Sequence, residues 1–240
     1  ITGLGAAALT GLLELVQHLL WGGPGIDILD AARAAPAWWH VGVLLAAGLL
    51  TAGGQWLLTQ LTSANGIDIT AAIWFHAGRL PKLRTLCSAV LSILIVAMGA
   101  ALGREGAPKQ AGAVFANFVS DRAALSDDER RLLVACGAGA GMAAAYGVPL
   151  GGALFALEVL RGMLSLRLVL PALLTTLTAT GVSWAFLPDA PTYAVPAYRS
   201  SLDVALWAVL AGVVAGVVSV GYVRAVAWAD GHKPAGRARL

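Results

Sequence analysis

The chain has 240 residues, of which 58% are apolar and 12% charged, with a mean hydropathy of +0.77. Soluble domains carry roughly 45–50% apolar and roughly 25% charged residues, so the charge here is too sparse to coat a water-exposed surface, and the apolar content is too high for disorder. A net charge of +3 gives no argument for nucleic acid, and a polytopic membrane protein remains.

Apolar stretches cover residues 1–21, 38–58, 86–102, 107–120, 132–160, 169–186 and 204–227. Several approach the roughly 20 residues that cross a bilayer as a helix. This predicts an all-α protein forming a single transmembrane domain over residues 1–240. The third and fourth stretches are short and flank a charged, glycine-rich break, Gly103-Arg104-Glu105-Gly106. The segment 121–131 mixes acids with arginines and reads as a solvated connector. The fifth stretch is interrupted by Gly147-Val148-Pro149 and Gly151-Gly152. Proline lacks a backbone donor and disfavours helix in the residue before it, so this stretch reads as two half-helices meeting inside the membrane. The 29 glycines suit close helix packing in lipid, where hydrophobicity does not drive association.

Basic residues set an orientation through the positive-inside rule. If the first span runs outward, most of the 16 Lys and Arg are cytoplasmic, from Arg79, Lys82 and Arg84 to the tail with Lys233, Arg237 and Arg239. Arg33 and Arg199 fall outside, and Arg104 and Lys109 lie near the membrane interior. Trp38, Trp39, Trp184 and Trp207 near span ends fit an interfacial aromatic belt.

An ionisable residue at the centre of a spanning helix costs roughly 2.5–3.5 kcal/mol even on the lenient insertion scale. Arg104 and Glu105 sit side by side between two apolar stretches, either neutralising one another or serving a pathway. The flanking glycines permit an irregular backbone, tolerated at membrane depth only where it lines a cavity or is buried in protein. A helix starting just beyond would present free N–H groups and a positive dipole end, an anion site. A glutamate beside it competes with the anion as a carboxylate and vacates the site when protonated, which is a gate. Glu158 lies in an apolar stretch beyond the second break and reads as buried, with a structural or a pathway role. Asn65, in Ser63-Ala64-Asn65-Gly66-Ile67-Asp68, offers amide donors to an anion or simply forms a turn. Gly137-Ala138-Gly139-Ala140-Gly141-Met142 imitates a dinucleotide fingerprint but lacks the third glycine. His18, His40, His76 and His232 have no metal-ligand spacing, Cys87 and Cys136 carry no redox signal, and no nucleophile–base pair supports an enzyme.

Together these pieces resemble the CLC family of chloride channels and chloride/proton antiporters. Gly103-Arg104-Glu105-Gly106 matches the start of that family's GREGP motif, and Gln110 and Gly112 fall where the family carries Gln and Gly. Residues 137–160 are similar to the run that follows the motif, with its glutamate at Glu158, and residues 64–68 occupy the place of the GSGIP motif. The resemblance implies tilted and broken helices, as in the first inverted-repeat half of the CLC fold. It implies that Glu105 gates, that Asn65, Gly66, Gly103, Arg104, Gly106 and Ala107 bind the anion, and that Glu158 supports the pathway; Lys109, outside the family pattern, adds a supporting charge beside it. Chloride is then the transported ligand, with no cofactor and no metal. The implied setting is the lipid bilayer of a bacterial-type plasma membrane, as a homodimer.

Departures from the family pattern matter equally. The second motif reads Ala64-Asn65-Gly66-Ile67-Asp68, Pro108 is displaced by one position, and Lys109 adds a cation. Val159 follows Glu158, where antiporters of the family usually carry an inner proton-transfer glutamate. This favours a channel-like pathway over a proton-coupled antiporter, with a non-conducting membrane structural subunit as a third reading. No counterpart of the family's second half is found, so the sequence is expected to be a fragment or to pair with a separate half.

Overall fold

The computed structural model describes residues 1–22, 28–62, 66–162, 165–187 and 201–232. Ala64, Asn65, Arg199, Lys233, Arg237 and Arg239 lie outside them. The chain divides into two compact units, Ile1–Thr192 and Tyr193–Leu240. Every regular element among the described residues is helical.

In the first unit α1 covers Thr2–Trp21, the short α2 Ile28–Ala34 and α3 Ala37–Leu61. The short α4, Ile69–Phe75, starts where the Asp68 carboxylate accepts N–H bonds from Thr70 (2.8 Å) and Ala71 (3.2 Å), an N-cap that satisfies two orphan donors. Helix α5 is Lys82–Ala97, α6 Gly106–Arg122 and α7 Asp127–Tyr146. Helix α8, Pro149–Leu154, runs into a π-helical turn, Phe155–Leu160, and α9 spans Leu166–Ser183. The second unit contains α10, Leu202–Gly231, 30 residues long. Among the described residues, three helices are long and apolar enough to cross a membrane by themselves: Thr2–Trp21, Ala37–Leu61 and the segment Leu202–Ala229.

The segment 121–131 is largely exposed, as predicted, but its extent as a loop is corrected by the structure. Asp121 and Arg122 belong to α6, and Asp127–Arg131 already belong to α7. The cause is a capping box. The Ser126 side chain accepts from Glu129 N–H, while the Glu129 carboxylate accepts from Ser126 N–H at 2.9 Å, and three acids favour the positive end of the helix. The helices on either side of the first break also shift. Helix α5 begins before its apolar stretch, at Lys82 behind Pro81, and stops at Ala97. Gly99, at φ 97°, takes a conformation that side chains resist. The second break behaves as predicted: Gly147 closes α7 in the left-handed region and Pro149 opens α8.

Helix α7 packs against α1, α6, α8 and α9. Its glycines and alanines are nearly all buried, and they bring backbones into direct contact. A Cβ on Gly137 would stand 2.6 Å from Ala116 Cβ and 3.1 Å from the Gly112 carbonyl carbon of α6. This is the small-residue packing that lipid favours. Trp21, at the end of α1, donates its indole N–H to the Ala97 carbonyl at the end of α5, at 3.2 Å. Trp39 likewise donates to Leu20 O at 3.0 Å. Large apolar side chains such as Leu45, Leu49, Trp56, Leu170 and Phe186 point outward, as a lipid-facing surface requires.

Polar groups gather at one end of α5, α6 and α7. Asp121 pairs with both Lys82 and Arg130. The buried Arg130 also donates to Asn117 Oδ1 (3.1 Å), whose amide reaches Leu80 O (3.2 Å). Arg130, then Lys82, holds the Asp121 carboxyl below its ordinary range. From that polar end α5 runs 16 residues and α6 runs 17, or about 24–26 Å at 1.5 Å per residue. The hydrocarbon core is about 30 Å thick. The α5–α6 break lies at the far end of both helices from this polar end, a distance shorter than the hydrocarbon core.

Candidate functional site

The break occupies residues 98–105, between the last turn of α5 and the first residue of α6. Gly106 and Ala107 are the first two residues of α6, and Pro108 has no N–H to offer. The first intrahelical bond of this turn runs from Lys109 N–H to Glu105 O at 3.2 Å. The amides of Gly106 and Ala107 thus precede the helical ladder, at the positive end of the macrodipole. Nothing lies within 4 Å of where a Cβ on Gly106 would stand. Gly106 is half-buried and Ala107 buried.

Glu105 is the N-cap residue, but its side chain makes no cap bond. It folds back over Gly103 instead, where any Cβ would collide with both carboxylate oxygens. The phenol of Tyr146 donates to Glu105 Oε2 at 3.3 Å. The Arg104 guanidinium stands over the Tyr146 ring, 4.9 Å from its centroid, a cation–π arrangement. Glu105 and Tyr146 are both half-buried. The end of α7 therefore meets the start of α6, and the two breaks share one site.

The sequence-predicted residues divide into three places. Gly103, Arg104, Glu105, Gly106 and Ala107 come together at the break, with Ala107 buried. Lys109 lies one turn further along α6, its ammonium 5.3 Å from the Phe155 ring centroid. Gly66 is not part of the Glu105 cluster. It lies before α4, where a Cβ would stand 3.5 Å from Arg84 Nε in the first turn of α5. Arg84 also donates to Leu58 O and Thr62 Oγ1, both at 3.2 Å, closing the end of α3. Asn65 lies outside the described residues.

Glu158 is exposed rather than buried. It sits on the outer side of the π-helical turn with Val159, while Ala156, Leu157 and Leu160 turn inward. An apolar run in sequence does not tell which side of the turn a residue takes. Tyr146 was not singled out from the sequence. Its only local signal is its place as the last helical residue before Gly147, and its partner lies 41 residues away. Among the described residues, no group of three or more His, Cys, Asp or Glu side chains could hold a metal ion.

Comparison with known proteins accords with this architecture. The sequence profile of the family described as voltage gated chloride channel matches residues 43–237. A putative chloride channel protein ClcB-like of Ralstonia nicotianae is 32% identical over 199 residues, covering 80% of this chain and 46% of the relative. A voltage-gated ClC-type chloride channel ClcB of Yersinia pseudotuberculosis is 42% identical over 135 residues, covering 56% and 32%. The chain thus spans less than half the length of these curated relatives. The crystal structure of a slow cyanobacterial Cl−/H+ antiporter superposes with a TM-score of 0.73 at 22% identity, over 98% of this chain and 56% of that one. That likeness bears on the fold alone. With a matching profile over most of its residues, this integral membrane chain belongs to the CLC family of chloride channels and transporters.

Proposed function

We propose that the chain carries part of an anion pathway through a membrane, for chloride or a similar small anion, with Glu105 as a gate that competes with the ion. The observation that carries the reading is the Glu105 carboxylate, which caps nothing and lies back over Gly103 at the N-terminus of α6, whose first amides precede the helical ladder. A free anion and a carboxylate are alternative occupants of such a helix start. Gly103, Arg104, Gly106 and Ala107 form the outer part of the anion site. Asn65 and Gly66 form the inner part, where Gly66 lies near Arg84. Lys109 and Glu158 act as supporting charges. Transport is channel-like, because Val159 offers no proton-carrying group next to Glu158. The protein works as a homodimer in a bacterial-type plasma membrane. The polar end built by Lys82, Asp121 and Arg130 faces the cytoplasm, in keeping with the positive-inside rule.

The test is anion efflux from liposomes holding the full-length protein, measured against pH. Flux rises as the pH falls, and Glu105→Gln removes most of that dependence. A Glu105→Gln protein with the wild-type pH profile refutes the gate. The reversal potential in a pH gradient tests coupling, since a displacement from the pure chloride value establishes proton-coupled antiport instead of conduction. Absence of any anion flux from the folded protein leaves the structural-subunit reading.

A further inference from the structure

We infer that Tyr146 is a positioning residue that latches Glu105 in its folded-back, ionised conformation. The inference rests on the reading of Glu105 as the gate and deepens it. Three features meet at this contact. The phenol hydroxyl donates to Glu105 Oε2 at 3.3 Å. The absence of a side chain at Gly103 leaves room for the carboxylate to lie back over the backbone. Arg104 stands over the same ring, 4.9 Å from its centroid.

The backbone makes the phenol a fixed reference. Tyr146 is the last residue of α7, and Gly147 at φ 67° turns the chain and returns its N–H to Ala143 O. A donor held this way has little freedom to follow the carboxylate when it leaves. An ionised carboxylate accepts hydrogen bonds at both oxygens, whereas a protonated one must itself donate from one of them. The phenol therefore favours the ionised gate in this position. Protonation weakens the contact and frees the side chain. Among the described contacts Tyr146 reaches the carboxylate, Arg104 stands over the Tyr146 ring, and Lys109 on the next turn of α6 is turned towards Phe155.

The experiment compares Tyr146→Phe, Glu105→Gln and the double variant in the full-length protein, by chloride efflux from liposomes across pH 4–8. Phenylalanine keeps the ring under Arg104 and removes the hydroxyl, together with its interaction with Arg104. The flux–pH profile of Tyr146→Phe moves to higher pH by about 0.5–1 unit, and the double variant behaves as Glu105→Gln does. An unmoved Tyr146→Phe profile, with Glu105→Gln flattened, overturns the latch and leaves the gate standing. Flux reduced by one factor at every pH marks a merely structural tyrosine and also overturns it. A shift that persists in the Glu105→Gln background shows that the phenol acts elsewhere and overturns it as well. A Glu105→Gln protein that keeps the full pH dependence removes the gate and the latch together.

Discussion

Gly141 of α7 lies against the first turn of α6, and adding a methyl group there tests how the site is built. A Cβ at Gly141 would stand 2.6 Å from the Pro108 carbonyl carbon and 3.3 Å from Lys109 N, and would collide with Pro108 O. These are backbone atoms and have no rotamer to change. Ordinary contact begins near 3.4 Å, so Gly141→Ala forces the helices apart locally by about 0.8 Å for that carbon alone. Relief by a rigid shift of α6 is opposed further along, where Gly137 meets Gly112 and Ala116. Overpacking of this kind costs about 1–3 kcal/mol. At about 2–4 °C per kcal/mol, the Tm of the purified full-length protein falls by about 2–12 °C. Pro108 is the third residue of α6, so the displacement also reaches Glu105, and anion flux falls. Gly181→Ala is the matched control. It lies inside α9 with nothing within 4 Å of its Cβ position, and alanine there gains about 0.5–1 kcal/mol of helix preference. Thermal unfolding followed by tryptophan fluorescence separates the two. Equal Tm values for Gly141→Ala and Gly181→Ala would refute backbone contact as the basis of the α6–α7 interface.

Other consequences are equally measurable. Asp121 is held below its ordinary value of 3.8 mainly by Arg130. Its ionisation therefore favours the folded state, with the full contribution present above that value and lost as pH falls through the lowered one. Asp121→Asn lowers the Tm at neutral pH by the equivalent of about 1 kcal/mol or less, since the site is partly exposed. The gap to wild type closes below about pH 4, and a gap that widens on acidification contradicts the pairing. Asp68→Ala removes the N-cap of the seven-residue α4. It costs about 1 kcal/mol and speeds hydrogen exchange at the Thr70 and Ala71 amides, whereas Asp68→Asn leaves them protected.

Much of the fold was legible because lipid imposes long apolar stretches and because glycine and proline mark their interruptions. The second break falls where Gly147-Val148-Pro149 placed it, while the first begins five residues before Gly103, at Met98, and ends before Gly106. Helix ends were less legible. Charge at Asp127–Arg131 reads as solvent by composition, yet a local capping box makes it the first turn of α7. Helices α2 and α4, at seven residues each, are too short to raise an apolar signal. Facing was legible least. Glu158 and Leu157 are neighbours in one apolar run, and only packing decides that leucine turns inward and glutamate outward. Tyr146 illustrates the same limit for the site, since its meaning arises only where the end of α7 meets the beginning of α6.

The carbonyl end of α5 deserves the same scrutiny as the amide end of α6, because an ion entering the gap would meet both. A helix leaves its last four carbonyl oxygens without partners, and their partial negative charge repels an anion. Here each of the four is occupied. Leu94 O receives Met98 N–H, Ile95 O receives Ala100 N–H and Val96 O receives Gly99 N–H, while the indole of Trp21 takes Ala97 O. The two helix ends thus differ: the Gly106 and Ala107 amides precede the ladder of α6, while the last four carbonyls of α5 already have partners. In the pathway proposed above, an anion at this break would meet no bare carbonyl of α5, and the cover is completed by the Trp21 indole from the C-terminal end of α1.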